Sequence, residues 1–139
     1  MAQRRILVVE DDELFAEYLS VALAEEGYDV LGPVTTGEDA VARTRAEGPD
    51  LILMDVNLPG ELDGIMSAEH IGSFSDVPVI YLTGHSEDLL FEKAKITHPY
   101  GYLVKPVSKR ELVAAMEMAL YHYNLDVKLK ESEGSAGST

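Results

Sequence analysis

Residues 51–60 read LILMDVNLPG: four apolar residues, an aspartate, and then a loop that contains a proline and a glycine. A short continuous apolar run is typical of a strand that is covered on both faces of a parallel sheet. Similar runs recur along the chain, with longer amphipathic segments between them. The predicted strands are Ile6–Val9, Asp29–Val34, Leu51–Met54, Val77–Leu82 and Tyr102–Val104.

The amphipathic segments predict five helices, one after each strand. Two of them begin with a hydroxyl residue followed three positions later by an acid, which is a helix-capping pattern: Thr36 with Asp39, and Ser108 with Glu111. Asp12 is interpreted as the cap of the first helix. The predicted helices are Glu13–Glu26, Glu38–Glu47, Ile65–Phe74, Glu87–Ile96 and Lys109–Lys130.

Strict alternation of strands and helices predicts an α/β domain with a parallel sheet and right-handed crossovers. Five strands and five helices fit a doubly wound, flavodoxin-like sheet of order 2-1-3-4-5 with helices on both faces. Ligands of such sheets bind at the carboxyl ends of the strands, near the switch point between the first and third strands. The residues that follow the strands are therefore the first candidates for function.

The 139-residue chain carries 25 acidic and 11 basic residues, a formal net charge of −14. Binding to a phosphate backbone needs Lys and Arg, so direct nucleic-acid binding is not expected. The acidic excess is interpreted mainly as a solvated surface, with a minority of the acids concentrated at one place. The chain has no cysteine, which excludes thiolate metal sites. No stretch has the length and apolarity of a membrane span or a signal peptide, so a cytoplasmic location is expected.

Polar residues follow four of the predicted strands. Glu10 and Asp11 follow the first strand, Asp55 the third, Thr83 the fourth and Lys105 the fifth. Taken singly, Thr83 could be a turn residue and Lys105 a surface charge. Because the carboxyl ends of parallel strands share one edge of the sheet, their joint placement favours a functional site.

Glu10, Asp11 and Asp55 would repel one another in such a site. Two unit charges about 4 Å apart at a partly buried site repel by roughly 4 kcal/mol. One lysine cannot offset three such pairs, so the cluster needs a cation or a proton. Oxygen ligands without His or Cys favour Mg²⁺ or Mn²⁺ over zinc, with Asp11 and Asp55 as direct ligands and Glu10 acting through water. The alternative is a carboxylate that its neighbours hold protonated.

With a metal ion and an ammonium beside it, Asp55 could attack phosphorus as a nucleophile. The ion and Lys105 would neutralise the equatorial oxygens of a phosphoryl group, and the hydroxyl of Thr83 would donate to one of them. The residues therefore favour phosphoryl transfer to Asp55.

The blocks ILVVEDD, LILMDVNLPG, VIYLTG and GYLVKP resemble, in order, the four signature blocks of response regulator receiver domains. The resemblance covers about residues 4–123 and implies one receiver domain, with 124–139 as a helix overhang and a flexible linker or tail. It implies a phosphorylation-activated switch of a two-component phosphorelay, which catalyses only its own phosphorylation and dephosphorylation and is not otherwise an enzyme. The implied phosphodonor is a histidine kinase or a histidine phosphotransfer protein.

The resemblance also implies a role for each matching residue. Asp55 matches the phosphoacceptor, Glu10 and Asp11 match the acidic pair, and Asn57 matches the residue whose backbone carbonyl binds Mg²⁺. The remaining matches are Thr83 as switch hydroxyl, Tyr102 as switch aromatic, Lys105 as the partner of the phosphoryl group, and Pro106 as a proline preceded by a cis peptide.

Two departures lie near the implied site. The loop NLPGELDG after Asp55 is one residue longer than the commonest spacing, which should alter the loop before the third helix but not the site. His85 stands two residues beyond Thr83, and with Asn57 it is hypothesised to tune the access of water to the phosphoaspartate. The alternative for His85 is a solvent-exposed loop residue.

The third departure is the C-terminal segment. Beyond about Asn124 the last predicted helix has no sheet left to cover, and residues 133–139 are predicted to be flexible. The overhang is either a cut linker to a C-terminal output domain, which we favour, or a dimer contact. Apolar residues in this helix follow the 3-4-3-4 spacing of a coiled-coil seam, but two heptads are too few to predict one: Val113, Met116, Leu120, Tyr123 and Val127. The first three are more simply explained as the side of the helix that faces the sheet.

Two other functions compete with the switch. A phosphatase with an aspartyl nucleophile, of the haloacid-dehalogenase-like kind, needs a second aspartate as general acid where this chain has Asn57. A pseudo-receiver would be a protein-interaction module without the chemistry, but such proteins usually lack a site residue. Switching is expected to shift the region of Thr83 and Tyr102 between two arrangements. The face made by the fourth helix, fifth strand and fifth helix should change most, and it is a candidate homodimer surface.

Overall fold

Five parallel strands form one sheet in the order β2-β1-β3-β4-β5, which confirms the predicted fold. The computed structural model describes residues 3–84 and 99–137. The strands are β1 Arg5–Val9, β2 Asp29–Val34, β3 Leu51–Asp55, β4 Val79–Thr83 and β5 Gly101–Val104. The helices within the described residues are α1 Glu13–Glu25, α2 Gly37–Glu47, α3 Gly64–Gly72 and α4 Lys109–Gly137. The predicted helix Glu87–Ile96 lies outside the described residues.

The sheet divides the apolar core into two layers, because successive side chains of a strand point to opposite faces. Ile6 and Val8 of β1 pack with residues of α1 and α4, whereas Leu7 and Val9 pack with residues of α2 and α3. All four are fully buried. Coverage of both faces explains why the central strands read as continuous apolar runs.

The predicted helix caps are present. Thr36 accepts a hydrogen bond from the backbone N–H of Asp39 at 3.1 Å. At the start of α4, the N–H of Glu111 donates to the Ser108 hydroxyl, and the N–H of Ser108 donates to the Glu111 carboxylate. Asp12 accepts from the N–H of Phe15 and caps α1. These side chains satisfy amide groups that the first turn of a helix leaves without intrahelical partners.

Three predicted boundaries were wrong by two residues or more. α3 ends at Gly72, two residues before the predicted Phe74. β4 begins at Val79, two residues later than predicted, because the N–H of Val77 donates to the hydroxyl of Ser75 in a turn. α4 continues to Gly137, past Lys130 and into the stretch predicted to be flexible. No proline interrupts residues 109–137, so nothing in the backbone forces an earlier end. Among the described helices, none has the length and apolarity to cross a membrane.

Candidate functional site

The predicted acidic cluster is present at the carboxyl ends of β1 and β3. Glu10, Asp11 and Asp55 can each offer one carboxylate oxygen, and these oxygens lie within 4.8 Å of one another. Glu10 and Asp55 are only 1% and 3% exposed, whereas Asp11 is open to solvent. The parallel register explains the contact: Val9 pairs with Met54, so the next residue of each strand reaches the same level at the sheet edge.

Lys105 closes the site from the end of β5. Its Nζ lies 2.6 Å from Glu10 Oε1 and 3.1 Å from Asp55 Oδ2. Its backbone N–H donates to the carbonyl of Thr83, and its ammonium stands 4.8 Å from the centre of the Phe15 ring. Burial lowers the pKa of Lys105, but the contacts with Glu10 and Asp55 outweigh burial and raise it. The lysine is therefore a fixed positive charge beside Asp55.

Glu10 is the member of the cluster that most needs a counter-charge. Oε2 accepts a hydrogen bond from the N–H of Asp12 at 3.0 Å. Oε1 is buried and lies 2.6 Å from the Lys105 ammonium, with which it forms an ion pair, and it has no other hydrogen-bond partner among the described residues. Burial raises the pKa of Glu10, the Asp55 carboxyl raises it further, and the contacts with Lys105 and Asp12 only partly offset this rise. A buried, under-coordinated carboxylate between two others fits a divalent cation that accepts oxygen ligands.

Both oxygens of Asp55 are held in place. The backbone N–H of Asn57 donates to Oδ1 at 2.9 Å, and Lys105 Nζ donates to Oδ2 at 3.1 Å. Asn57 itself is exposed, at the start of the loop that leaves β3. This carboxylate is thus oriented by two donors on opposite sides while it stays within reach of Glu10 and Asp11.

The remaining predicted residues lie on the neighbouring strand ends. Thr83 is buried as the last residue of β4, directly after Leu82, the β-ladder partner of Asp55. Tyr102 of β5 is half-buried and stacks on Tyr81, with 6.1 Å between ring centroids. The structure therefore brings the polar ends of four strands to one edge, as the sequence predicted.

The loop after Lys105 is tied to α1. The peptide bond between Lys105 and Pro106 is cis, the isomer that the resemblance implied. The carbonyl of Val107 accepts a hydrogen bond from the hydroxyl of Tyr18 at 2.9 Å. His85, the proposed tuning residue, lies outside the described residues.

Sequence reasoning did not single out Phe15 and Tyr18, which pack beside Lys105 and its loop. Their signal was available, because both follow the Asp12 cap at positions that turn toward the same side of α1. The side of α1 that faces Lys105 is determined by how the helix packs against the sheet. The order of residues along the chain does not reveal this packing.

Comparison with known proteins decides the family. Residues 6–117 match the family described as the response regulator receiver domain. The chain belongs to this family. Transcriptional regulatory protein PdtaR of Mycobacterium tuberculosis is 38% identical over 120 residues, which are 86% of this chain and 58% of the relative. Uncharacterized transcriptional regulatory protein YrkP of Bacillus subtilis is 35% identical over 129 residues, 93% of this chain and 54% of the relative.

This receiver domain thus spans about half the length of these curated relatives. Solved receiver domains match it along nearly their whole length. The signal receiver domain of a modulated diguanylate cyclase from Desulfovibrio desulfuricans is 37% identical, with a TM-score of 0.82, over 90% of this chain and 99% of that one. A CheY-like receiver domain protein from Methanospirillum hungatei is 26% identical, with a TM-score of 0.79, over 90% and 99%.

Proposed function

We propose that this receiver domain is a phosphorylation-activated switch that accepts a phosphoryl group on Asp55 in the presence of Mg²⁺. The observation that carries the proposal is the position of Asp55, which lies 3.1 Å from the Lys105 ammonium and within 4.8 Å of oxygens from Glu10 and Asp11. An acidic cluster with one fixed ammonium can receive a phosphoryl group only if its own negative charge is offset.

In the proposed transfer, a carboxylate oxygen of Asp55 forms a bond to phosphorus while the bond from phosphorus to the donor's histidine nitrogen breaks. The departing nitrogen keeps the electron pair. Attack of water on the same phosphorus later releases inorganic phosphate and restores the carboxylate. The domain is proposed to catalyse only these reactions on itself, and not to be an enzyme for a separate substrate.

The ion would be held directly by the carboxylates of Asp11 and Asp55 and by the backbone carbonyl of Asn57, and through water by Glu10, with Mn²⁺ as an alternative to Mg²⁺. When bound, it would supply positive charge for the phosphoryl oxygens. Lys105 would supply a second positive charge from the β5 side, and the Thr83 hydroxyl would donate to one phosphoryl oxygen.

Movement of Thr83 toward the phosphoryl group would then let Tyr102 turn inward, so the two residues report the state of Asp55. The face of β5 and α4, together with the helix predicted at Glu87–Ile96, is proposed to change most, and it is the candidate homodimer surface. Asn57 and His85 are proposed to set how readily water reaches the phosphoaspartate.

The proposed phosphodonor is a histidine kinase or a histidine phosphotransfer protein, and the proposed location is the cytoplasm. The relatives named above are called transcriptional regulatory proteins, and the matched residues make up 58% and 54% of their lengths. We therefore place the output in a domain C-terminal to this segment, while the net charge of −14 argues against nucleic-acid binding by the receiver itself.

Titration with beryllofluoride and Mg²⁺, followed by backbone amide chemical shifts, tests the switch. Beryllofluoride mimics the phosphoryl group, and shifts are expected at Asp55, Thr83 and Tyr102 together. Shifts confined to the loop after Asp55 would refute the coupling to Thr83 and Tyr102. No shifts at all would indicate a pseudo-receiver.

A further inference from the structure

Gly64, the first residue of α3, lies directly against the backbone of the proposed phosphoacceptor. A Cβ atom at Gly64 would lie 2.1 Å from the carbonyl oxygen of Asp55 and 2.9 Å from the Cα of Val56. Real Cβ atoms essentially never approach another heavy atom within 3.0 Å. Both neighbours are backbone atoms, which cannot rotate away as a flexible side chain could. Glycine is therefore required here by space.

The backbone at the end of β3, which Gly64 contacts, cannot easily move. Asp55 pairs with Leu82 in the ladder between β3 and β4, and the N–H of Val56 donates to the Leu82 carbonyl at 2.9 Å. The N–H of Gly64 in turn donates to the carbonyl of Val56 at 2.9 Å. The loop of residues 57–63 thus leaves the end of β3 and returns to the same point.

The start of α3 is also held in place, because α2 packs closely against it. A Cβ atom at Gly37, the first residue of α2, would lie 2.0 Å from Ser67 Oγ and 2.8 Å from the carbonyl oxygen of Leu62. Ser67 is fully buried, and its hydroxyl donates to the carbonyl of Asp63 at 2.7 Å. α2 therefore packs tightly against the first turn of α3 and leaves it little room to retreat.

We propose that Gly64 is a positioning residue for the divalent ion: its missing side chain lets α3 close the 57–63 loop directly onto Asp55. Asn57 begins this loop and its N–H donates to Asp55 Oδ1 at 2.9 Å, so a displacement of the loop would also displace the Asn57 carbonyl. This inference rests on the proposed function, since it assigns Gly64 a role in the ion site described there. A side chain at Gly64 would push the loop by roughly 1 Å, which near-octahedral Mg²⁺ coordination does not tolerate.

The loop NLPGELDG begins and ends at this contact. It leaves the end of β3 at Asn57 and returns through Gly64, whose N–H donates to the carbonyl of Val56. Gly60 within it has φ of +93°, a left-handed conformation that glycine adopts without strain. The position of the loop relative to the acidic cluster therefore depends on how closely Gly64 approaches Asp55.

The test compares Gly64→Ala with Gly72→Ala. Gly72 is the last residue of the same helix, and a Cβ there meets nothing within 4 Å. The Mg²⁺ dissociation constant is measured by amide chemical shifts, and the urea midpoint reports folding. Gly64→Ala is expected to weaken Mg²⁺ binding by roughly 10–100-fold, as is usual when the support of a metal ligand is displaced. Gly72→Ala should leave Mg²⁺ binding unchanged.

Ser67→Ala provides a second variant that adds no atoms, in case Gly64→Ala does not fold. It removes the hydrogen bond to Asp63 that steadies the first turn of α3, and a loss of Mg²⁺ affinity of about threefold is expected. Folded Gly64→Ala with wild-type Mg²⁺ affinity would overturn the proposal, as would an unfolded Gly64→Ala together with a Ser67→Ala protein of unchanged affinity. Failure of the wild-type protein to bind Mg²⁺ would instead overturn the proposed function.

Discussion

In the ion-free protein the buried negative charge of Glu10 destabilises the fold unless a cation or a proton neutralises it. Its pKa is raised from the ordinary 4.5, mainly by burial and then by Asp55. A raised pKa means that the folded protein holds the proton more tightly than the unfolded chain does. The stabilising contribution of protonated Glu10 is therefore complete below pH 4.5 and is lost as the pH rises through the raised pKa.

Mg²⁺ and the proton should compete for this carboxylate. We expect the Mg²⁺ dissociation constant to increase as the pH falls from about 8 to about 5, starting above the ordinary pKa of a glutamate. Isothermal titration across this range measures it. In Glu10→Gln, which cannot take up the proton, the remaining pH dependence should be shallower. Identical pH profiles for the two proteins would show that Glu10 is not linked to the ion.

Asp11 differs from Glu10 because it is exposed. Removing its charge in Asp11→Asn should weaken Mg²⁺ binding at least tenfold, as expected for loss of a direct ligand. The free energy of unfolding without Mg²⁺ should increase, because the substitution removes the repulsion between Asp11 and the carboxylates of Glu10 and Asp55. Urea unfolding with and without Mg²⁺ separates the two effects. Equal Mg²⁺ affinity for wild type and Asp11→Asn would remove Asp11 from the site.

At this scale the sequence predicted Glu10, Asp11, Asp55 and Lys105 together, because each follows a strand and parallel strands end at one edge. It could not predict the orientation of Asp55, which depends on the N–H of Asn57 in an irregular loop. Nor could it show that Glu10 is buried and that its Oε1 pairs with Lys105 at 2.6 Å, since both depend on the packing around the strand ends.

At the scale of single elements, α4 begins directly after the loop that carries Lys105. Reciprocal hydrogen bonds between Ser108 and Glu111 cap it. Ser108→Ala should lower the free energy of unfolding by about 1 kcal/mol, because the N–H of Glu111 loses its acceptor. Urea unfolding measures this, and Ser132→Ala at an exposed position of the same helix is the control. Equal losses in both variants would contradict a capping role for Ser108.

The helices and strands could be predicted from local sequence features. Apolar runs marked the strands, and Thr36 and Ser108 marked two helix starts within one residue. Helix and strand ends were less predictable, because they depend on tertiary contacts and turns that the hydrophobic periodicity of the sequence does not reveal. β4 begins after a turn in which the N–H of Val77 donates to the Ser75 hydroxyl, and α4 continues to Gly137, past the predicted end at Lys130.

At the scale of the whole molecule, a net charge of −14 on 139 residues makes the folded state self-repelling. Raising NaCl from about 0.02 M to about 0.3 M shortens the Debye length to below 10 Å and should raise the urea midpoint of the ion-free protein. The same salt should weaken Mg²⁺ binding, because the acidic cluster attracts the cation less. A urea midpoint that falls with salt would show that attractive ion pairs dominate.

The topology was predictable because alternating strands and helices allow few arrangements, and the order β2-β1-β3-β4-β5 is one of them. That order alone places β1 beside β3 and hence the acids of both strands together. The same reasoning does not predict the phosphodonor or the output, because recognition of a partner depends on surface side chains that the strand order does not determine.

Mass spectrometry of the intact protein after incubation with acetyl phosphate and Mg²⁺ tests the central claim most directly. Wild-type protein should gain the mass of one phosphoryl group, and the gain should disappear in Asp55→Asn and when EDTA removes the ion. A folded wild-type protein that takes up no phosphoryl group from acetyl phosphate or phosphoramidate with ample Mg²⁺, or an Asp55→Asn protein that gains the same mass, would contradict the account.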